Sequence, residues 1–308
     1  MIVAAIDIGS NAARLYICRF FPQQHARTDV KVLEFVRIPL RLGEDVFGAG
    51  TVGADKSARM LHIFRVFREL MQLFEVQDYR ACATSALREA ENADDLCRQI
   101  KEETGLQLEV ISGAEEARLI YSAHFALLES EKNVLLVDVG GGSTEISLLN
   151  GNTVRLSQSF EVGAVRLLQG ERALDKILQE MRQWVRNTIQ MHHPKYVLGT
   201  GGNINKVFDL LELKKGKYAT RKQLESLQSV LSGISLKQRM EMWGLNEDRA
   251  DIILPACTLY SQVMKAAGVN KITISGLGLK DGIIADLLER HHSVPVADFH
   301  ANERFFQE

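Results

Sequence analysis

The chain has 308 residues, enough for two domains, and its 46% hydrophobic and 25% charged residues are ordinary for a globular protein. A formal net charge of −2 at pH 7 lacks the basic excess of a general nucleic-acid binder, so we expect no nucleic-acid partner. The chain shows neither a signal peptide nor an apolar run of membrane-spanning length, and its four cysteines form no Cys-x-x-Cys pair. We therefore expect a cytoplasmic protein with free thiols and no membrane contact.

Hydrophobic periodicity predicts alternating strands and helices in the first part of the chain. Strands are predicted at residues 2–8, 13–20, 31–41, 79–84 and 107–111. Helices are predicted at residues 56–74, 92–104 and 112–128. The last helix begins with a capping box, in which the Ser112 side chain caps the helix and Glu115 reaches back to the Ser112 N–H.

The pattern restarts at residue 133. Strands are predicted at residues 133–139, 144–149, 152–160, 195–198 and 271–274. Helices are predicted at residues 171–191, 203–211 and 279–290, with a helix-rich stretch at 220–268.

Two segments repeat one design, in which an apolar strand is followed by Asp-x-Gly, small polar residues and a second strand. They begin at Asp7 (Asp-Ile-Gly-Ser-Asn) and at Asp138 (Asp-Val-Gly-Gly-Gly-Ser). Glycine permits a sharp turn and a close ligand, the N–H groups of the turn form an anion-binding nest, and the Asp can hold a cation. One copy fits a plain hairpin equally well. Two copies with Asp at the same offset favour binding of a phosphate chain from both sides of a cleft.

Other motifs exclude several classes of enzyme. The glycine clusters at 199–203 and 276–278 lack the spacing of a dinucleotide-binding fingerprint. The sequence contains no P-loop, no G-x-S-x-G elbow and no H-E-x-x-H zinc motif.

Several segments, in chain order, resemble the Ppx/GppA phosphatases, a family of exopolyphosphatases and guanosine pentaphosphate phosphohydrolases related to actin, sugar kinases and chaperone ATPases. They are AAIDIGSNAARL (4–15), ATSALREAEN (83–92), VISGAEEARLIY (110–121), VDVGGGSTE (137–145), FEVGAVRL (160–167), GTGGN (199–203) and SGLGLKDG (275–282). The resemblance covers nearly the whole chain.

The resemblance implies an α/β fold of two actin-like (ASKHA, ribonuclease H-like) domains, each with a mixed five-stranded sheet, flanking a cleft. Domain I is expected at residues 1–122 and 283–308, with the closing helix packed on it, and domain II at residues 123–282. A homodimer is common in the family, so we expect one here.

The resemblance places the catalytic base at Glu116. The capping box gives Glu115 a structural role, whereas Glu116 points about 100° further around the helix and is able to face a cleft. In the implied reaction Glu116 orients and deprotonates the attacking water. The alternative is that Glu116 is a solvated charge in the first helical turn.

The metal ligands implied for Mg²⁺ are Asp138 and Glu145. An ionised carboxylate at the end of the apolar run before Asp138 is costly unless it binds a cation or hydrogen-bond donors. Glu145 matches an acidic position of the family, and its alternative is an exposed strand residue. Asp7 holds the equivalent place in the first repeat, where it either binds metal or braces the loop through backbone N–H groups.

The phosphate ligands implied are backbone N–H groups of the two loops and the guanidinium of Arg88. Arginine suits this role because its planar fork pairs with two phosphate oxygens. The alternative for Arg88 is a salt bridge to Glu89 or Glu91. The full set is Gly9, Ser10, Asn11, Arg88, Gly140, Gly141, Gly142 and Ser143.

The chain departs from the family at two positions. Ala12 replaces a Ser, which removes a hydroxyl contact to phosphate, and Lys280 replaces an Arg, which removes a bidentate donor. Long members also carry a further C-terminal region that helps to hold extended polyphosphate. The chain ends with the core, so we expect no processive action on long polymers.

The function predicted is Mg²⁺-dependent hydrolysis of the terminal phosphoanhydride of inorganic polyphosphate or guanosine pentaphosphate. Both substrates end in the same anhydride, and the sequence does not choose between them. The alternatives are a non-enzymatic sensor that binds guanosine tetra- or pentaphosphate and an ATP-dependent phosphotransferase of the same superfamily. A filament or chaperone-like ATPase is disfavoured by the segment that contains Glu116.

Overall fold

The structure is a computed structural model that describes residues 1–21, 28–128, 131–151, 153–170, 174–214, 216–292 and 299–301. The chain divides into two compact units. The first unit comprises Met1–Ala126 and Leu279–Glu308, and the second comprises Leu127–Gly278.

Each unit contains one mixed sheet. The strands are β1 (Ile2–Ile8), β2 (Ala12–Phe21), β3 (Thr28–Pro39), β4 (Asp78–Ala83), β5 (Leu108–Val110), β6 (Lys132–Val139), β7 (Thr144–Asn150), β8 (Thr153–Phe160), β9 (Tyr196–Thr200), β10 (Ala219–Thr220), β11 (Lys271–Ile274) and β12 (Phe299–Ala301). Within the described residues, the strand order is β12-β3-β2-β1-β4-β5 in the first unit and β10-β11-β9-β6-β7-β8 in the second. The predicted α/β fold with two mixed sheets is confirmed. The predicted number of five strands is wrong, because β12 and β10 each add a sixth, short strand at one edge.

Helices flank both sheets. They are α1 (Leu42–Ala49), α2 (Ala54–Leu73), α3 (Ser85–Glu89), α4 (Ala93–Thr104), α5 (Gly113–Leu128), α6 (Ala164–Gln169), α7 (Leu174–Trp184), α8 (Gly201–Leu210), α9 (Arg221–Ser232), α10 (Leu236–Trp243), α11 (Glu247–Ala250), α12 (Ile253–Ala267) and α13 (Leu279–His292). The helix predicted at 171–191 is divided: 171–173 lie outside the described residues, and a π-helical turn and a 3₁₀ turn follow α7. No helix in the described part of the chain is both long and apolar enough to cross a bilayer.

The core of the first unit lies between one face of β1 and helix α2. Alternate residues Ala4, Ile6 and Ile8 share that face, as the two-residue period of a strand requires. Phe64 and Phe67 of α2 belong to the same core and are 0% exposed. Burying one such aromatic side chain stabilises the fold by roughly 1.5–3 kcal/mol.

Helix α13 packs against β1 and β4, and it crosses α5 at a glycine. A Cβ atom at Gly282 would lie 2.0 Å from the carbonyl oxygen of Leu119, so a larger residue would push the two helices apart. The crossing therefore fixes the position of α5, whose first turn carries Glu116.

A network of ion pairs ties β4, β5, α5 and α13 together. Its members are Arg80, Glu109, Glu115, Arg118, Asp286 and Arg290. Arg80 is 7% exposed and donates to Glu115 at 3.1 Å and to Asp286 at 2.9 Å. Because a buried charge is costly without partners, Arg80 fixes the beginning of α5 relative to α13.

This network corrects half of the predicted capping box. The Ser112 hydroxyl accepts a hydrogen bond from the Glu115 N–H at 3.2 Å, as predicted. The Glu115 carboxylate does not reach back to the Ser112 N–H and instead accepts from Arg118 at 2.7 Å and from Arg80. Charge-assisted bonds to two guanidinium groups are stronger than one bond to a neutral N–H. The Glu115 carboxylate therefore pairs with the two arginines instead of the Ser112 N–H.

The Glu115 ion pairs predict a loss of stability in acid. Hydrogen bonds from Arg118 and Arg80 lower the pKa of Glu115 from 4.5 to about 2, even though burial opposes the shift. A lowered folded-state pKa stabilises the protein above the unfolded pKa, and this contribution disappears as pH falls from about 4.5 to about 2. In urea denaturation, Glu115→Gln is expected to be less stable than the native protein at pH 7, with the difference shrinking toward pH 3. Glu102→Gln, at an exposed position of α4, is the control, and a difference for Glu115→Gln that stays constant with pH would contradict the prediction.

Helix α12 forms the centre of the second unit. It packs against α6, α8, α9 and β6, and its side chains are buried around most of its circumference. The largest of these, Tyr260, is 0% exposed and lies beneath the carboxyl ends of β6 and β9.

Candidate active site

Two loops of the same design join the first two strands of each sheet. In the first unit, the Gly9 N–H donates to the carbonyl of Ala12 at 3.0 Å. In the second unit, the Gly140 N–H donates to the carbonyl of Ser143 at 2.9 Å. The repeat that the sequence predicts is therefore one hairpin formed twice. The N–H groups of Gly9 and Gly140, which we predicted to bind phosphate, close these turns instead.

A short helix holds the carbonyl groups of the first loop. At the start of α1, the Gly43 N–H donates to Ser10 O at 2.9 Å, and the N–H groups of Leu40 and Arg41 donate to Asn11 O. These bonds fix the peptide planes of the loop and aim their carbonyl groups toward α1.

Helix α6 does the same for the second loop. The Ala164 N–H donates to Gly140 O at 2.9 Å, and the Val165 N–H donates to Gly141 O at 2.8 Å. The buried Arg166 side chain donates through Nε to Gly142 O at 3.0 Å. Within the described residues, the N–H groups of Gly141, Gly142 and Ser143 have no backbone or side-chain acceptor. This loop therefore presents three consecutive donors, which is the arrangement of an anion-binding nest.

The carboxyl ends of β1, β4 and β5 bring the predicted residues of the first unit together. These strands are parallel neighbours, with Ile8 paired to Ala83 and Ala83 paired to Val110. The hydroxyl groups of Ser10 and Ser85 share a buried hydrogen bond of 2.8 Å, which joins the first loop to α3. Helix α3 also carries Arg88, and α5, which follows β5, carries Glu116.

Arg88 and Glu116 form an ion pair in this unit. Arg88 Nη1 donates to Ile111 O at 2.8 Å and lies 3.5 Å from Glu116 Oε2. Glu116 is 7% exposed, so its alternative as a solvated charge is wrong. The predicted alternative of a salt bridge from Arg88 to Glu89 or Glu91 is also wrong. Arg88 Nη2 and Nε have no acceptor within the described residues, so they remain available to an anionic ligand.

The acidic residue before each loop faces a different partner. Asp7 lies opposite Arg14 across the β1–β2 pair and accepts from Arg14 Nη1 at 2.6 Å. Asp7 is thus paired with a guanidinium group, a partner that neither of the two alternatives left open by the sequence, metal binding or a brace through backbone N–H groups, includes. Asp138 lies opposite Glu145 across the β6–β7 pair, and their carboxylate oxygens lie within 4.8 Å.

The Asp138 and Glu145 pair fits a divalent cation. Like charges directly opposite one another on a sheet are destabilising, and a hard cation such as Mg²⁺ removes this repulsion by binding carboxylate oxygens. Glu145 is 4% exposed, so its alternative as an exposed strand residue is wrong, and Ser159 Oγ donates to it at 2.9 Å. A Cβ atom at Gly201 would lie 2.4 Å from Asp138 Oδ1, so glycine is needed beside the carboxylate.

Thr200 adds a polar atom on the same face of the sheet. It pairs with Asp138 on the neighbouring parallel strand, so both side chains point to that face. Its hydroxyl is fully buried and has no hydrogen-bond partner among the described residues. A buried hydroxyl is usually satisfied, which is consistent with a ligand or a cation-bound water at this position.

Comparison with known proteins identifies the family. The model of the Ppx/GppA phosphatase family matches residues 24–291. The chain belongs to this family. It is 26% identical to a Haemophilus influenzae protein with the provisional name exopolyphosphatase, over 97% of this chain and 94% of that one.

Two solved Ppx/GppA structures resemble the chain over nearly its full length. An exopolyphosphatase from Cytophaga hutchinsonii superposes with a TM-score of 0.82 and is 26% identical, with 96% of this chain and 99% of that one covered. The Aquifex aeolicus family member superposes with a TM-score of 0.74 and is 25% identical, with 95% and 99% covered.

Three residues, Arg14, Arg166 and Tyr260, shape this Ppx/GppA site although no sequence motif marks their roles. Arg14 follows Asp7 at the same offset at which Glu145 follows Asp138, so an alignment of the two repeats would have indicated their pairing. Arg166 lies in a segment that resembles the family, but the sequence does not show that it holds the second loop. No signal marks Tyr260, because its helix is apolar and distant in sequence.

Proposed function

We propose that this protein hydrolyses the terminal phosphoanhydride bond of inorganic polyphosphate or guanosine pentaphosphate and releases phosphate, with Mg²⁺ bound by Asp138 and Glu145. The observation that carries the proposal is the contrast between the two loops: an arginine, Arg14, lies opposite Asp7 on the neighbouring strand, whereas a second carboxylate, Glu145, lies opposite Asp138. The relatives from H. influenzae and C. hutchinsonii, which are named exopolyphosphatases, support the same reaction.

Phosphate binding is assigned to donors in both units. The N–H groups of Gly141, Gly142 and Ser143 would hold phosphate oxygens without any change in the loop, since α6 already fixes its carbonyl groups. Arg88 would contribute the guanidinium nitrogens that Glu116 and Ile111 leave available. Ser10 and Asn11 are assigned to the same ligand by the equivalence of the two loops.

Glu116 is assigned as the general base. Its carboxylate would accept a proton from water while the water oxygen bonds to the terminal phosphorus and the anhydride P–O bond breaks. The shortened chain leaves as an anion. Bound Mg²⁺ would offset negative charge on the phosphoryl oxygens. Phosphoryl transfer depends mostly on positioning and electrostatic stabilisation, so no covalent nucleophile is needed.

The two family departures have different surroundings. Lys280 Nζ lies 2.8 Å from both carboxylate oxygens of Asp281 and 4.2 Å from the centre of the Tyr16 ring, so it is engaged inside the first unit. Ala12 is 0% exposed and contributes its carbonyl to the turn. Neither environment favours the sensor alternative over hydrolysis.

The deciding experiment measures phosphate release, with Mg²⁺, from short polyphosphate, long polyphosphate and guanosine pentaphosphate. Release that chelation abolishes and Mg²⁺ restores is the expected result, and the substrate with the highest kcat/KM identifies the preference. Tight binding of guanosine pentaphosphate without release would establish the sensor instead. A phosphorylated acceptor formed from ATP, with little free phosphate, would establish the phosphotransferase.

The glycine before α6 predicts a separate effect on the second loop. A Cβ atom at Gly163 would lie 2.4 Å from the carbonyl carbon and oxygen of Gly141. Gly163→Ala is expected to displace the loop, to destabilise the protein by about 1–3 kcal/mol and to lower phosphate release. Gly48→Ala is the control, because a Cβ atom there meets nothing within 4 Å and alanine favours the helix. Equal activity in the two variants would contradict the prediction.

A further inference from the structure

Tyr260 is a buried tyrosine whose hydroxyl makes two hydrogen bonds to the backbone. It donates to Thr200 O at 2.8 Å and accepts from the Val139 N–H at 3.2 Å. Burial raises the pKa of this phenol, and the charges of Asp138 and Glu145 act in the same direction, so the hydroxyl stays protonated and retains both roles.

The hydroxyl joins β6 and β9 at the point where they diverge. The strands pair in parallel as far as Asp138 and Thr200, after which β6 enters the glycine loop and β9 enters α8. Beyond this point the ladder supplies no partners, and a buried backbone group without a partner is costly. Tyr260 provides these partners, and Asn203 Nδ2 donates to the carbonyl of Val139 at 2.9 Å. Both polar groups of Val139 are therefore held by buried side chains.

We infer that Tyr260, assisted by Asn203, is a positioning residue for the cation site, an inference that rests on the proposed role of Asp138 as a metal ligand. The Val139 N–H belongs to the peptide group that follows Asp138, so a bond to it restrains the Cα atom that carries the carboxylate. Asp138 Oδ1 lies against Gly201, the residue that follows Thr200. The Tyr260 hydroxyl, by joining β6 to β9, therefore also sets the distance between the Asp138 carboxylate and Gly201. Without the hydroxyl, the two strands can separate and Asp138 loses its fixed orientation toward Glu145.

The test measures Mn²⁺ binding to the full-length Tyr260→Phe protein without substrate. The protein is titrated with Mn²⁺, and binding is monitored by electron paramagnetic resonance. Mn²⁺ is used because carboxylate ligands suit it as they suit Mg²⁺. Loss of a group that orients a ligand typically weakens metal affinity about 10- to 100-fold, and we expect a change of this order. Tyr79→Phe is the matched control, because the Tyr79 hydroxyl accepts from the Gln107 N–H at 2.8 Å in the first unit. The control is expected to bind Mn²⁺ as the native protein does.

A second readout separates positioning from general destabilisation. At saturating Mg²⁺, Tyr260→Phe is expected to recover its kcat while its Mg²⁺ requirement is raised, whereas general destabilisation would lower kcat at every Mg²⁺ concentration. If Tyr260→Phe does not fold, Asn203→Ala replaces it, since it releases the other side of Val139. Native Mn²⁺ affinity in the folded variant would overturn the inference.

Asp138→Asn distinguishes failure of this inference from failure of the proposed function. If Asp138→Asn abolishes Mn²⁺ binding while Tyr260→Phe binds normally, only the positioning role is overturned. If Asp138→Asn binds Mn²⁺ as the native protein does, the metal site is wrong and the positioning role is overturned with it.

Discussion

Replacing Glu116 by glutamine is expected to lower phosphate release by about 10²- to 10⁴-fold, the usual contribution of a general base. The amide keeps the size and shape of the carboxylate but cannot accept the proton of the attacking water. Glutamine has nearly the shape of glutamate, and its amide oxygen can still accept from Arg88 Nη1 in the first turn of α5, so the fold should stay intact. Circular dichroism and urea denaturation would verify folding beside the phosphate assay.

Glu115→Gln is the matched control for this experiment. It makes the same chemical change one residue earlier, where the carboxylate pairs with Arg80 and Arg118 instead of Arg88. We expect Glu115→Gln to lose stability and to retain most of its phosphate release. Full activity in a folded Glu116→Gln protein would refute the base assignment. Equal losses in the two variants would indicate that the substitutions disturb α5 and that neither residue is the base.

The loops could be predicted from the sequence because their determinants are local. Each hairpin has glycine in its turn and an apolar strand on either side, and both features recur after Asp7 and Asp138. The helices α1 and α6 could not be predicted, because eight and six residues are too few for a clear hydrophobic period. Their first N–H groups bind loop carbonyls distant in sequence, so tertiary contacts stabilise them.

The identity of a side chain's partner was harder to predict than its position. The capping-box rule places Glu115 correctly at the third helical position, but long-range pairs with Arg80 and Arg118 outcompete the local bond. Arg88 was expected to face phosphate or a neighbouring acid, and the structure pairs it with Glu116 from another helix. Such pairings depend on which strand ends lie side by side, which local sequence rules do not specify.

The facing carboxylates predict that Glu145→Gln has opposite effects on stability without and with metal. In a chelator, the substitution removes like-charge repulsion from Asp138 and is expected to raise the free energy of unfolding by about 0.2–1 kcal/mol. The amide oxygen can still accept from Ser159 Oγ, so this hydrogen bond is kept. With Mg²⁺ at about 100 times its Kd, the native protein gains about 2.7 kcal/mol from binding, and the variant does not.

The activity of Glu145→Gln should fall because the variant binds Mg²⁺ poorly, even though the variant is more stable than the native protein without metal. Glu145→Gln removes a charged ligand from the proposed Mg²⁺ site, so phosphate release is expected to fall about 100-fold. This is the upper end of the loss that is usual when a group supporting a metal ligand is removed. Glu161→Gln is the control, since it removes the same charge from an exposed position just after β8 and should change neither quantity. Thermal denaturation of the three proteins with and without Mg²⁺ gives the result. If Mg²⁺ stabilises Glu145→Gln as much as the native protein, Glu145 is not a ligand, and the contrast between the two loops must have another cause.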